Sequence, residues 1–225
     1  MDKTTEDPPC EDIHKEDCNS EDSKLDEDKV KKFTTLIKAL TALRMSKQDK
    51  TPSEVIPGLY IGSIGAAMAK NLLQELGITH ILTAAANLNP PFPDDFEYMT
   101  IPVLDKPKAN LMIYFEKTNK FIKESLEGGG KVLVHCFAGI SRSSTFLLAY
   151  LLGVKEMNLA DSFKLLKEKR DKCDPNVGFM IQLKAYEKTL FGECSKFDWE
   201  PKELKKLKDK DEDKDEDKDE VEKED

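Results

Sequence analysis

An apolar strand, a short loop and an apolar helix follow one another directly in residues 131–153. The strand reads KVLVHC, the loop FAGI and the helix SRSSTFLLAYLLG. Strands that pass into helices in this way are the units of α/β domains, in which helices cover a mostly parallel sheet. The junction therefore predicts the fold class, and it also brings a cysteine, a glycine and an arginine together.

The same alternation of strands and helices extends along residues 55–191. Apolar runs bounded by turn residues predict strands, and apolar residues at helical spacing predict helices. The predicted elements are strands at 55–63, 78–85, 96–104 and 131–136, and helices at 66–77, 111–130, 141–153, 158–172 and 177–191. We therefore expect an α/β fold with a central, mostly parallel sheet flanked by helices.

The negative charge of the chain is concentrated at its two ends. Residues 1–29 carry a net charge of −8 and residues 202–225 carry −5, while the whole chain carries −9. The middle is therefore mildly basic, at +4. This distribution argues against a broad nucleic-acid-binding surface and is compatible with a small anionic substrate held at one focused site.

Composition divides the chain into four segments. The first is acidic and poor in large apolar residues, which predicts disorder, and the last is a low-complexity run of opposite charges. Between them, an apolar stripe at helical spacing precedes the α/β region, and we expect it to pack on the body of the protein rather than on a membrane. The predicted segments are a disordered acidic arm (1–28), an N-terminal amphipathic helix (29–50), a catalytic domain (51–195) and a charged tail (196–225).

The cysteines and the apolar runs indicate a cellular compartment. The five cysteines are an odd number without a C-x-x-C pair, which argues against a zinc site or a disulfide framework. The start of the chain lacks the apolar core of a signal peptide, and no apolar run approaches membrane-spanning length. We expect a soluble cytoplasmic protein with reduced thiols and no membrane partner, and we leave a nuclear location open.

The loop after the strand has the composition of an anion site. The first amides of a helix have no partners within the helix, and the helix dipole adds partial positive charge there. Gly139 would allow the loop to curl so that successive amides point inward, and the guanidinium of Arg142 could hold two phosphate oxygens. The predicted substrate-binding residues are Phe137, Ala138, Gly139, Ile140, Ser141 and Arg142.

Cys136 lies at the base of this predicted bowl. Helix N-termini and nearby cations favour the thiolate form of a cysteine, so we expect a nucleophile that attacks phosphorus and forms a phosphocysteine, which is then hydrolysed. A carboxylic acid on a nearby loop would protonate the leaving group, and the hydroxyl of Ser143 would assist the departing thiolate. The alternative, a buried core cysteine beside a turn, suits a lone cysteine better than His-Cys-x5-Arg-Ser at such a junction.

The segment HCFAGISRSS resembles the signature loop, H-C-x5-R-[ST], of the cysteine-based protein phosphatases, and A-G-I-S-R-S is most similar to the dual-specificity branch. The similarity covers roughly residues 53–192. EVIPGLYIGS and LGITHILTAA resemble the strands of that branch, VLD and NLMIYFEKTNKFI its acid loop and following helix, and DPNVGFMIQL the start of a late helix. The chain thus resembles a small, atypical dual-specificity protein phosphatase.

This resemblance implies a role for each matching residue. Cys136 matches the nucleophile, Arg142 the phosphate-binding arginine and Asp105 the general acid. Ser143 matches the hydroxyl that assists breakdown of the intermediate, and His135 the histidine that supports the loop and the reactivity of the thiol. The scheme requires neither a metal nor a cofactor.

The acid is the least secure of these assignments, because Asp94 and Asp95 also lie in a nearby loop. The position of Asp105 directly after a strand, with Pro107 stiffening the loop, favours Asp105. We interpret other polar residues as structural. They are His80 at a strand end, Asn176 as a helix cap, Gln182 as a packing contact, and His14 in the acidic arm. Cys173 is interpreted as a plain thiol, with capture of an oxidised Cys136 as a further hypothesis.

The loop composition indicates the class of phosphate. None of its variable positions is basic, which favours phosphoproteins, protein kinases among the candidates, over phosphoinositides with their additional phosphates. The long tyrosine-recognition loop of tyrosine-specific relatives is missing, so we expect activity on phosphotyrosine and on phosphoserine and phosphothreonine. A non-catalytic phosphate-binding relative and an RNA triphosphatase are the alternatives. The first is disfavoured by the retained Cys136, Arg142 and acid, and the second by the absence of a basic groove.

Overall fold

The computed structural model describes residues 49–197 and 199, all within the unit Ala42–Asp225. The predicted acidic arm, residues 29–48 of the predicted N-terminal segment and most of the predicted tail lie outside the described residues. Asp49 and Lys50 belong to neither a helix nor a strand.

A five-stranded sheet forms the centre of the described part of the chain. Its strands are β1 (Ser53–Ile56), β2 (Leu59–Gly62), β3 (His80–Ala84), β4 (Glu97–Ile101) and β5 (Val132–His135). They lie in the order β1-β2-β5-β3-β4. Only the β1–β2 hairpin is antiparallel, and the other three pairs are parallel, so the predicted mostly parallel sheet is confirmed.

Helices flank this sheet. They are α1 (Ile64–Ala67), α2 (Lys70–Glu75), α3 (Phe115–Glu127), α4 (Arg142–Gly153), α5 (Leu159–Lys169) and α6 (Val177–Phe191), and a 3₁₀ turn at Met112–Tyr114 leads into α3. The predicted α/β architecture with flanking helices is therefore confirmed. Among the described residues, no helix combines the length and the apolar character needed to cross a bilayer.

The central position of β5 follows from its composition. Val132, Leu133 and Val134 are fully buried, as is typical of a strand that is covered on both faces. Helix α4 follows β5 and buries Phe146, Leu148 and most of its other side chains, so it packs as a core helix. This strand and this helix fix the positions of the loop that joins them.

Two of the predicted helices differ from the observed ones at residues near the loop after β5. The helix predicted at 66–77 is divided into α1 and α2, because Ser63 caps a separate first turn and Ala69 leaves the helical conformation. The helix predicted at 158–172 ends at Lys169, because Arg170 has an extended backbone. Both deviations serve contacts with the loop after β5, since α1 and Arg170 each hydrogen-bond to it.

Candidate active site

The loop of residues 136–141 lies at the carboxyl edge of the sheet, between β5 and α4. Strand β5, which leads into the loop, is flanked by β2 on one side and by β3 on the other. Helix α4 begins at Arg142, so the first-turn amides of this helix face the loop. The topology therefore places partial positive charge at the predicted phosphate-binding position.

The sulfur of Cys136 is buried within the curl of the loop. The side chain is 1% exposed, the amide of Gly139 donates to Sγ at 3.2 Å, and Ser143 Oγ lies 3.3 Å from it. Donors that converge on a sulfur stabilise negative charge on it. The structure thus brings together Cys136, Gly139 and Ser143 as the sequence predicted.

The curl is held from outside by donors to the carbonyl groups of the loop. His135 Nδ1 lies 3.3 Å from Cys136 O, and Ile64 N donates to Phe137 O at 3.1 Å. Arg170 Nε donates to Gly139 O at 3.0 Å, and Asp174 N donates to Ile140 O at 2.8 Å. In a trans peptide the carbonyl and the following N–H point in opposite directions. Fixing these carbonyls outward therefore turns the amides of residues 137, 138, 140 and 141 towards the inside of the loop.

Gly139 has the backbone geometry that this curl requires. Its φ of +67° lies in the left-handed region, which side-chain-bearing residues seldom adopt. A Cβ at this position would lie 2.6 Å from Gly62 O and 2.7 Å from an Arg170 nitrogen. Any larger residue would therefore be strained and would also push against two groups that support the loop.

His135 stands directly behind the loop. Its Nε2 lies 2.8 Å from the hydroxyl of Thr83 on β3, and its Nδ1 faces the carbonyl of Cys136. The pKa of His135 is lowered to about 4, chiefly by burial; the contact with the Cys136 carbonyl opposes this shift, and the nearby Arg142 charge adds to it. The ring is thus neutral at physiological pH and can donate from Nδ1 while it accepts at Nε2.

The guanidinium of Arg142 is oriented before any phosphate binds. Its Nη1 donates to Val103 O at 3.2 Å, and its Nε lies 3.4 Å from Asp105 Oδ2. This Nε is buried and forms no hydrogen bond with the described residues, so its contact with Asp105 is an ion pair rather than a hydrogen bond. A buried donor left in this way is suited to a phosphate oxygen.

Asp105 is fixed over the loop by three neighbours. Its Oδ1 accepts from Ser141 Oγ at 2.8 Å and from Asn176 Nδ2 at 2.8 Å, and its Oδ2 faces Arg142. Asn176 also caps α6, as predicted, because its Oδ1 accepts from the amide of Phe179. The contact of Asn176 with Asp105 was missed by sequence reasoning, since it joins residues that are far apart in the chain.

The loop that carries Asp105 is seated on α6. Gln182 accepts from the amides of Leu111 and Met112 and donates to Ala109 O, so it is a hydrogen-bonding bridge rather than the simple packing contact predicted. A Cβ at Gly178 would overlap the backbone of Pro107. The first turns of α6 therefore determine where the loop that carries Asp105 lies.

The comparison with protein families agrees with this geometry. Residues 59–189 match the family model described as "Dual specificity phosphatase, catalytic domain". The chain belongs to the dual specificity phosphatase family. It is therefore an enzyme, a protein-tyrosine and dual-specificity phosphatase that removes phosphate from proteins.

Individual relatives of this phosphatase agree with the family match. It is 43% identical over 164 residues to dual specificity protein phosphatase 1 of Arabidopsis thaliana, covering 72% of this chain and 83% of that protein. It is 45% identical over 141 residues to MAP kinase phosphatase with leucine-rich repeats protein 3 of Dictyostelium discoideum, covering 62% of this chain and 16% of that protein. The crystal structure of human tyrosine phosphatase-like serine/threonine/tyrosine-interacting protein superposes with a TM-score of 0.61 and 39% identity, covering 62% of this chain and 97% of that one.

Asp94 and Asp95, the other candidates for the general acid in this phosphatase, do not share the contacts that Asp105 makes with the loop. Asp95 pairs with Lys70 Nζ at 2.7 Å and accepts from Gln74, both in helix α2. Asp94 is exposed, and no contact with the loop of residues 136–141 is seen for it among the described residues. Asp105 is thus the carboxylate that meets the loop.

Two further residues of this phosphatase were singled out from the sequence. His80 begins β3, and its Nε2 lies 3.2 Å from Glu97 on β4, at the opposite edge of the sheet from the loop. Cys173 is buried behind the loop, with its Sγ 3.9 Å from Gly139 O. Burial raises the pKa of Cys173 to about 11, so it is a neutral thiol at physiological pH. Its capture of an oxidised Cys136 stays a hypothesis.

Proposed function

We propose that this phosphatase hydrolyses phosphotyrosine, phosphoserine and phosphothreonine on proteins through a phosphocysteine intermediate. The observation that carries the proposal is the convergence of the Gly139 amide, at 3.2 Å, and the Ser143 hydroxyl, at 3.3 Å, on the sulfur of Cys136. A sulfur held in this way at a helix N-terminus is an activated nucleophile. The inward amides and Arg142 would bind the three non-bridging oxygens of the phosphate.

In the first step, the thiolate of Cys136 attacks phosphorus and the bond to the leaving oxygen breaks. Arg142 binds the phosphate in this complex, and Asp105 in its protonated form donates a proton to that oxygen, so the substrate leaves as an alcohol or a phenol. The contacts of Asp105 with Ser141 and Asn176 support this role, because they hold the carboxyl group beside Arg142 and hence beside the bound phosphate.

In the second step, water attacks the phosphocysteine and the sulfur leaves as a thiolate. The carboxylate of Asp105, now deprotonated, accepts a proton from that water. Ser143 is placed to donate a hydrogen bond to the departing sulfur, since its Oγ is already 3.3 Å away and fully buried. The two steps together consume one water and release inorganic phosphate.

The proposal extends to the substrate class and the location. The side chains of the loop, Phe137, Ala138, Ile140 and Ser141, carry no positive charge that would favour substrates with additional phosphates. Protein kinases are candidate substrates, in keeping with the name of the Dictyostelium relative. A cytoplasmic location, with the nucleus as the alternative, rests on the sequence alone.

The test uses substrates with different leaving groups. We expect Cys136→Ser to abolish turnover of para-nitrophenyl phosphate while it still binds phosphopeptides, because the amides and Arg142 remain. We expect Asp105→Ala to slow phosphopeptides by about 100-fold and para-nitrophenyl phosphate much less, since general acid catalysis contributes roughly 10²–10⁴-fold and a good leaving group needs less of it. Equal slowing of both substrates would show that another residue is the acid.

A further inference from the structure

Apolar side chains are exposed on the side of the active site where Asp105 lies. Leu104 is 52% exposed, Ile113 66%, Val177 39% and Ile181 62%. We call these four residues the acid-side patch. Exposed apolar residues that cluster beside a functional site are commonly part of a binding surface.

Hydrogen bonds between the acid loop and α6 connect the members of the patch. Leu104 and Val177 flank Asp105 and Asn176, which are joined at 2.8 Å. Further along α6, Gln182 accepts from the amide of Met112 at 3.1 Å, so the backbone that leads into Ile113 lies beside the turn of α6 that carries Ile181. The patch therefore runs outward from the acid along the first turns of α6.

The position of Asp105 indicates that the substrate polypeptide covers the acid-side patch. In the proposed reaction, Asp105 protonates the oxygen by which the substrate protein leaves, so the polypeptide of the substrate must pass beside Asp105. Val177 and Ile181 lie on one face of α6, four residues and about 6 Å apart. An extended chain rises about 3.3 Å per residue, so a chain whose phosphorylated residue lies beside Val177 would reach Ile181 two or three residues further along.

We propose that the acid-side patch is a substrate-binding surface for a leucine-sized apolar residue two or three positions from the phosphorylated residue. This inference rests on the proposed function and narrows its substrate class. Lys106 and Lys108 are exposed on the same loop, so the surroundings of the patch also favour a chain that carries negative charge. The patch supplies affinity by burying apolar surface, and the loop and Arg142 supply recognition of the phosphate.

The test compares phosphotyrosine peptides on the full-length enzyme. One series carries a single leucine, moved from three residues before to three residues after the phosphotyrosine, in a background of serine and glycine. A leucine-free peptide and para-nitrophenyl phosphate serve as references. We expect the best leucine position to raise kcat/KM by roughly fivefold to tenfold over the leucine-free peptide, as partial burial of one such side chain predicts.

Ile181→Ser and Ile113→Ser should each lower this leucine preference to less than about twofold. Leu190→Ser is the matched control, because Leu190 is an apolar residue of α6 that is 40% exposed and lies far along the helix from Asp105. That variant should keep the full preference. Preference is a ratio of two substrates on the same protein, so a general loss of folded enzyme does not imitate the expected change.

Three results would overturn the inference. One is a wild-type enzyme with no preference for leucine at any position, and another is a preference that survives in both patch variants. The third is a change of oligomeric state by light scattering in Ile181→Ser without a change in preference, which would assign the patch to a second copy of the chain. Failure of the proposed function looks different, because para-nitrophenyl phosphate would then not be hydrolysed in a Cys136-dependent manner.

Discussion

Arg170 Nε donates to the carbonyl of Gly139 at 3.0 Å, from a position behind the loop that surrounds Cys136. The side chain of Arg170 is 5% exposed, and its Nη2 pairs with Asp49 Oδ2 at 2.6 Å. The pKa of Asp49 lies below its usual range. Burial alone would raise this pKa, but the hydrogen bonds from Arg170 and Lys172 outweigh the effect of burial. A charged pair thus clamps the one loop residue that has a left-handed backbone.

The clamp predicts a role for Arg170 in phosphate binding, although it lies outside the bowl. Holding Gly139 O outward keeps the amide of Ile140 turned inward, towards the phosphate. We expect Arg170→Lys, which keeps the charge but loses the forked donor geometry, to lower kcat/KM for para-nitrophenyl phosphate about tenfold, mainly through KM. Steady-state kinetics and competition by inorganic phosphate measure this effect.

Lys172→Met is the control for Arg170→Lys. Lys172 also pairs with Asp49, at 2.7 Å, but contacts no carbonyl of the loop. We expect this variant to keep KM within about twofold, as is usual for loss of one partly exposed ion pair. An unchanged KM in a folded Arg170→Lys enzyme would show that the loop keeps its shape without the clamp.

A second prediction separates the two contacts of Asn176. Asn176→Ser retains a side chain that can cap α6 but loses the donor to Asp105, whereas Asn176→Ala loses both. We expect both variants to slow phosphopeptides more than para-nitrophenyl phosphate, because both leave the acid less firmly held. Only the alanine variant should also lose about 1 kcal/mol of unfolding free energy.

Urea unfolding and kinetics with two leaving groups check the Asn176 prediction together. If Asn176→Ser showed wild-type kinetics on phosphopeptides, the contact with Asp105 would have no part in catalysis. If the serine variant were as unstable as the alanine variant, the two effects would not be separable.

The local features of this protein were predictable from its sequence. The loop residues lie within one contiguous stretch of sequence. The apolar runs of β3, β5 and α4 directly predict that these elements are buried. The positive φ of Gly139 was also expected, because a curled loop needs a residue without a side chain at such a position.

Contacts between distant segments were not predictable in this way. Arg170 meets the loop from 31 positions away and Asn176 meets Asp105 from 71, while Asp49 meets Arg170 from 121 positions away in the chain. A local sequence pattern does not predict which distant side chains or carbonyl groups these residues contact. Similarly, the break between α1 and α2 at Ala69 lies among good helix formers, so no local pattern predicts it.

A third prediction concerns stability at acidic pH. The pKa of His135 is lowered from 6.5 to about 4 in the folded protein, chiefly by burial. Between these values the unfolded chain binds a proton that the folded protein does not, so this group lowers stability as the pH falls from 6.5 to 4. The full difference corresponds to about 3 kcal/mol. The contribution is complete below pH 4 and absent above pH 6.5.

Urea unfolding measured across this range checks the prediction, with a variant that lacks the ionisable ring. We expect His135→Asn to be less stable than the wild type at pH 7.5, because the bridge from Thr83 to the Cys136 carbonyl is weakened, but to lose less stability on acidification. His80→Gln, which removes the imidazole at the opposite edge of the sheet, should retain the steep fall between pH 6.5 and pH 4. Parallel pH profiles for the wild type and His135→Asn would show that a different group causes the acid sensitivity.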